Sequence, residues 1–107
     1  MKMSECKVTI NAGACKRKTI VNAVGDDMGV VTITLDTDCE YLQKMALHLE
    51  PITSYMEVEA PICTTVTYKL ANEHLPHAAC PVPCGIIKAI EVAGDLGLKR
   101  DVSMKIE

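Results

Sequence analysis

The sequence predicts a small α+β domain in which an antiparallel sheet of about four strands carries about three helices on one face. Three observations predict this fold class. The first third of the chain contains three short runs with strand periodicity, separated by turn residues. The spacing of apolar residues then becomes helical, with Pro and Gly at the expected boundaries. The last seven residues alternate again between apolar and polar side chains.

The composition is that of one domain spanning residues 1–107. Hydrophobic residues make up 49% of the chain, but it has no Trp, no Phe and only three Tyr. The core must therefore consist of Val, Ile, Leu, Met and Ala. A chain of this length buries about 65% of its unfolded surface, which is enough to fold without disulfides. The six cysteines consequently need another explanation.

Charge and hydropathy exclude several classes of protein. The net charge is −3, and the one basic run, Lys16-Arg17-Lys18, is too small for a nucleic-acid-binding face. No apolar stretch approaches the roughly 20 residues that span a bilayer. The N-terminus lacks the apolar segment of a secretory signal, so we expect a cytoplasmic protein. Cysteines in that reducing compartment are typically metal-binding or catalytic.

Three strands are predicted before residue 36. In the first, Val8 and Ile10 lie on one face; the second is rich in β-branched residues; the third alternates apolar and Thr side chains. They cover residues 6–11, 18–24 and 30–35. The connection over residues 25–29 contains the Gly and Asp residues of a tight turn. Short connections predict an antiparallel meander.

Helical spacing begins after the meander. Thr37-Asp38-Cys39-Glu40 fits a capping box, in which a Thr hydroxyl and a Glu three residues later satisfy backbone N–H groups. Leu42, Met45 and Leu49 follow at helical intervals. We therefore predict a first helix over residues 38–48, which ends before Pro51.

The next segment is ambiguous. Residues 55–59 suit a short extended piece. Pro61 could begin a second helix with Ile62, Val66 and Leu70 on one face, whereas the Thr-rich run at 64–68 favours a strand.

A third helix and a last strand are predicted at the C-terminus. Pro83 suits a first helical turn, and Gly94 and Gly97 end the helix. Residues 101–107 alternate and are predicted to form the last strand.

Tracing the chain through these elements brings four cysteines to one end of the sheet. Cys15 follows the first strand, Cys39 follows the third, and Cys80 and Cys84 precede or begin the third helix. Cys6 and Cys63 are expected elsewhere. A thiol at a helix start gains thiolate character, and thiolates bind soft metals and iron–sulfur clusters.

The predicted metal ligands are therefore Cys15, Cys39, Cys80, Cys84 and His77. Gly13, Asp38 and Gly85 are candidate cofactor-binding positions beside them. Simpler interpretations stay open, because the two Gly residues also suit turns, Asp38 suits a helix start, and a free Cys often serves as a small buried residue.

The order of these motifs resembles the NifU-like and TSCPD-type small cysteine domains. The resemblance rests on Asn11-Ala12-Gly13-Ala14-Cys15, Thr37-Asp38-Cys39-Glu40 and His77-Ala78-Ala79-Cys80-Pro81. The His-x-Ala-Cys-Pro-Val-Pro segment also looks like that of an uncharacterised family from anaerobic archaea and bacteria. In NifU-type scaffolds the corresponding cysteines hold a nascent iron–sulfur cluster for client proteins, which implies that role for Cys15, Cys39 and Cys80.

The sequence thus leads to one preferred hypothesis and two alternatives. The preferred one is a carrier module, not an enzyme, that binds an iron–sulfur cluster or a zinc ion and meets a client protein. The first alternative is a thiol redox protein in which Cys39 or Cys80 is a nucleophile of low pKa. The second is an interaction module with incidental cysteines. An exposed strand edge could support a homodimer.

Overall fold

The structure is a computed structural model that describes residues 4–107. Its sheet is antiparallel with strand order β1-β2-β3-β4. The strands are β1 (Ser4–Asn11), β2 (Lys18–Gly25), β3 (Val30–Thr37) and β4 (Ile52–Thr53). The helices are α1 (Glu40–Ala46), α2 (Ser54–Val58), α3 (Val66–His74) and α4 (Val82–Ala93), with 3-10 turns at Gly13–Cys15 and Ile62–Thr64. The predicted α+β class is confirmed.

The core lies between one face of the sheet and the helices, chiefly α4, with Leu42 and Met45 of α1 also buried in it. Alternate side chains of β2 and β3, among them Val21 and Ile33, point to one face and are buried. The apolar face of α4 covers them through Ile86 and Ile90, which are fully buried. This alternation gives the sheet one buried face. The short connections between β1, β2 and β3 make these strands the predicted antiparallel meander.

Gly85 explains how closely α4 can approach β1. A Cβ at this position would clash with Cδ1 of Ile10 and lie 3.1 Å from its Cγ1. A larger residue here would have to displace the end of the Ile10 side chain, so glycine lets α4 pack directly on the first strand.

A buried carboxylate joins α2 to α3. Glu57 is only 4% exposed. It accepts hydrogen bonds from the backbone N–H groups of Val66 (2.9 Å) and Thr67 (2.8 Å) and from the Thr67 hydroxyl (2.6 Å). Glu57 therefore satisfies two free N–H groups at the start of α3, beside the N-cap residue Thr65, whose hydroxyl accepts from the Tyr68 N–H (3.1 Å).

Two sequence predictions about strands are wrong. The fourth strand is Ile52–Thr53, which pairs with Val31 and Val30, and residues 101–107 have no regular secondary structure. The segment 55–59 is largely helical, within α2. A two-residue strand is too short for its periodicity to be detected. The alternation of residues 101–107 indicates a preference for extended structure but does not determine whether another strand lies beside them.

The first helix is shorter than predicted. It begins at Glu40 with Cys39 as its N-cap, because the Thr37 hydroxyl accepts from the Cys39 N–H (3.2 Å) in a local turn and not from Glu40. Of the two interpretations left open for the next segment, the structure has the helix, as α3, which starts at Val66 after the 3-10 turn and not at Pro61. No helix within residues 4–107 is long and apolar enough to cross a membrane.

Candidate thiol site

Cys15, Cys39 and Cys80 come from three connections at one end of the sheet. Cys15 ends the 3-10 turn between β1 and β2, Cys39 links β3 to α1, and Cys80 precedes α4. Cys15 is exposed, whereas Cys39 and Cys80 are half-buried; all six cysteines are free thiols. The meander accounts for Cys15 and Cys39, because it places their two connections at the same end of the sheet.

The β1–β2 connection has a defined backbone. Gly13 adopts φ +80°, and Lys16 adopts φ +60°. The Ala12 N–H donates to the Arg17 carbonyl oxygen (3.1 Å), and the Lys16 N–H donates to the Gly13 carbonyl oxygen (2.9 Å). These bonds close the loop and present Cys15 at its surface.

Arg17 and Lys18 attach this loop to the start of α1. The Arg17 guanidinium donates to the Asp38 carbonyl oxygen (3.1 Å), and the Lys18 N–H donates to the Asp38 carboxylate (3.3 Å). Asp38, predicted as a cofactor-binding residue, thus connects the loop that carries Cys15 with the segment that carries Cys39.

The position of Cys39 is fixed by its neighbours. The Thr37 hydroxyl accepts from the Cys39 N–H and also forms a hydrogen bond with the Thr19 hydroxyl (2.8 Å). The Gln43 side chain donates to the Thr37 carbonyl oxygen (2.8 Å), and the Gln43 N–H donates to that of Cys39 (2.9 Å). This network holds the Cys39 backbone where β3 passes into α1.

The pKa of the Cys80 thiol is raised above its ordinary value of 9.0. Burial is the main cause, a hydrogen bond from the Val82 N–H acts in the opposite direction, and the charges of Cys39 and Cys15 raise it further. Cys39 and Cys15 are therefore close enough to Cys80 for their charges to act on its ionisation. The prediction of a low-pKa nucleophile is wrong for Cys80, because desolvation outweighs the N–H groups at the helix start.

Three interacting thiols at one end of the sheet can act as soft ligands once deprotonated. Among residues 4–107, no three His, Cys, Asp or Glu side chains are already arranged to hold a metal ion. Ligation by these cysteines would consequently require their side chains to turn toward one another.

Cys84 lies in a different environment. It is exposed in the first turn of α4 and lines a cleft of about 260 Å³ with Tyr68 and Lys88. The pKa of Tyr68 is raised by burial and, to a lesser extent, by the charge of Cys84. The structure thus pairs Cys84 with Tyr68 of α3, whereas the charges that act on Cys80 are those of Cys39 and Cys15.

The other predicted site residues have structural explanations. His77 is exposed, and its carbonyl oxygen accepts from the Cys80 N–H (3.3 Å). Gly13 has open space around the position of a Cβ, so its positive φ alone requires glycine. Gly85 makes its close approach to Ile10 of β1, as described above.

The two remaining cysteines lie apart from this site in the fold. Cys6 is half-buried on β1. Its pKa is raised overall, because burial outweighs the opposite effect of the Lys99 charge. Cys63 is exposed in the 3-10 turn before α3.

Comparison with known protein families assigns the chain to one family. The model of a family of unknown function, DUF6951, matches residues 6–106. The chain belongs to this family. The region matched to DUF6951 includes all six cysteines and nearly the whole C-terminal segment. Neither the curated proteins nor the solved structures contain a significant match.

Sequence reasoning missed the hydrogen-bonding role of Arg17 and the buried Glu57. The basic run at Lys16-Arg17-Lys18 carried a signal, since a charged residue directly after Cys15 can reach a neighbouring loop. Nothing local to Glu57 indicates burial, because its partners are nine and ten residues further along the chain.

Proposed function

We propose that this domain binds an iron–sulfur cluster or a single soft metal ion, such as zinc, through Cys15, Cys39 and Cys80, and carries it to a client protein in the cytoplasm. The observation that supports this most is the position of the three cysteines in three connections at one end of the sheet, and the charges of Cys39 and Cys15 raise the pKa of Cys80. It brings together thiols that are 24 and 41 positions apart in the chain (39 − 15 and 80 − 39).

The electrostatics favour a cation as ligand. Each thiolate that forms near Cys80 makes the next ionisation harder, and burial of Cys80 adds to that penalty. A bound metal ion would remove the repulsion and displace the thiol protons. The same raised pKa opposes a role for Cys80 as the attacking thiolate of a redox protein.

The exposure of the thiols favours a carrier over a structural site. Cys15 is exposed and Cys39 and Cys80 are only half-buried, whereas structural sites are closed by four protein ligands. A site at the surface with three protein thiolates leaves room for a ligand from a partner. The order of the three cysteine motifs, which resembles that of NifU-type scaffolds, supports the same interpretation.

The proposal is tested by purification without oxygen, elemental analysis and a visible spectrum. We expect stoichiometric zinc, or iron with sulfide and colour, in the wild type, and loss of it in Cys15→Ala, Cys39→Ala and Cys80→Ala. Cys63→Ala is the matched control, and Cys84→Ala should also retain the metal because Cys84 lies beside Tyr68.

Absence of both iron and zinc from the wild type would contradict the proposal. A metal-free protein that forms a disulfide between two of the three cysteines would support the thiol redox alternative instead.

A further inference from the structure

The C-terminal tail, residues 98–107, is an unpaired segment with strand periodicity. It has no regular secondary structure. Val102, Met104 and Ile106 are 63%, 79% and 96% exposed, and they alternate with polar residues. Such a row of apolar side chains on one side of an extended segment is typical of a strand that covers a core. The tail therefore has the sequence of a strand but no neighbouring strand among residues 4–107.

The first strand offers a free edge that matches this tail. β1 pairs with β2 over all eight of its residues, and within residues 4–107 no strand pairs with its other side. Cys6, Val8 and Ile10 face the core but are only partly buried. A free strand edge with incompletely covered side chains is a template for another strand.

We infer that the tail of one chain pairs with β1 of a second copy, and that two copies exchange tails to form a two-fold symmetric dimer. The tail residues 101–107 are seven in number, one fewer than the eight of β1. With Val102, Met104 and Ile106 on the core side, they extend the row formed by the inward side chains of β1. Strand addition of this kind uses backbone hydrogen bonds for affinity and alternate side chains for register.

The path of the chain supports a second copy as the partner. The tail starts beside its own β1, because the Ser4 hydroxyl donates to the Asp95 carboxylate (3.0 Å) and the charge of Lys99 reaches Cys6. From there it continues without pairing with its own strand. A two-fold axis near the start of β1 would lay each tail along the edge of the other copy. The region matched to the family includes both partners, from Cys6 to Ile106.

The oligomeric state tests this inference. The full chain is measured by size-exclusion chromatography with light scattering, with a chelator and a reductant present so that neither metal nor disulfides join the copies. We expect twice the chain mass of 11.6 kDa for the wild type and the mass of one chain for the double variant Val102→Asp/Met104→Asp. Ser103→Asp, on the other side of the tail, is the matched control and should remain a dimer. Circular dichroism confirms folding, since the substituted side chains are exposed.

A wild type with the mass of one chain at its highest soluble concentration would overturn the inference. So would a double variant that remains a dimer. Protected tail amides in a monomer, measured by hydrogen exchange, would assign the tail to its own β1 and would also overturn it. These outcomes are independent of metal binding.

Discussion

Arg17 and Asp38 are 21 positions apart in the chain, and the Arg17 Nη1 donates to the Asp38 carbonyl oxygen at 3.1 Å. The bond spans two connections that each carry a cysteine of the candidate site. The Lys18 N–H adds a second link to the Asp38 carboxylate. The loop of Cys15 is thus held to the segment of Cys39 by residues that are not themselves ligands.

Arg17→Ala should weaken metal binding without unfolding the domain. Because a net hydrogen bond contributes about 0.5–1.5 kcal/mol, we expect the metal Kd to rise about two- to twelvefold. Competition with a chelator measures it. Lys18→Ala is the control, since it also removes a surface charge but keeps the backbone N–H that donates to Asp38. Equal effects of the two substitutions would mean that charge, not loop attachment, matters.

The alkylation rate of Cys80 should depend on Cys39. The thiolate is the reactive form, so the midpoint of the rate against pH reports the pKa of Cys80, which we expect above 9.0 because of burial and the neighbouring thiolates. Cys39→Ser removes one of those charges and should lower the midpoint. Peptide mass spectrometry after iodoacetamide labelling measures it, with Cys63→Ser as the control. A wild-type midpoint below 9.0 would contradict the electrostatic account.

Gly85→Ala should destabilise the packing of α4 on β1. The added Cβ clashes with Cδ1 of Ile10, and overpacking of this kind costs about 1–3 kcal/mol. Ile10→Val removes that methyl group, so the double variant should be more stable than the sum of the two single changes predicts. Urea denaturation of the four proteins measures the coupling. If the two changes in the free energy of unfolding simply add, the contact with Ile10 is not the reason for glycine at position 85.

Glu57→Gln should lower the free energy of unfolding by about 1–3 kcal/mol. Its buried carboxylate accepts three hydrogen bonds from Val66 and Thr67, and an amide in its place points a donor at donors. Urea denaturation checks the loss. Glu59→Gln, on an exposed residue of the same segment, should leave stability unchanged. Equal stability of the two variants would refute the role of Glu57 as an acceptor for the N–H groups at the start of α3.

The meander could be predicted because its signal is local. Alternation such as Val31 and Ile33 against Thr32 and Thr34 determines both strand and buried face. The meeting of Cys15 with Cys39 then follows from strand direction alone. The approach of Cys80 follows from the direction of α4, which packs on β1 through Gly85.

Features that depend on distant partners could not be predicted. The thiol redox alternative predicts a low pKa for Cys39 or Cys80, but burial by the folded chain raises the pKa of Cys80. β4 consists of Ile52–Thr53 only and has no periodic signal. The tail alternates apolar and polar residues, yet no strand within residues 4–107 pairs with it. Periodicity indicates a preference for extended structure but does not identify a pairing strand.

We propose above that Cys15, Cys39 and Cys80 together form one metal site. X-ray absorption at the metal edge, on protein purified without oxygen and loaded with zinc, tests it most directly. The account predicts three protein sulfur neighbours at about 2.3 Å, and one fewer in each of Cys15→Ala, Cys39→Ala and Cys80→Ala. A shell of nitrogen and oxygen alone, or a sulfur count unchanged by all three substitutions, would contradict it.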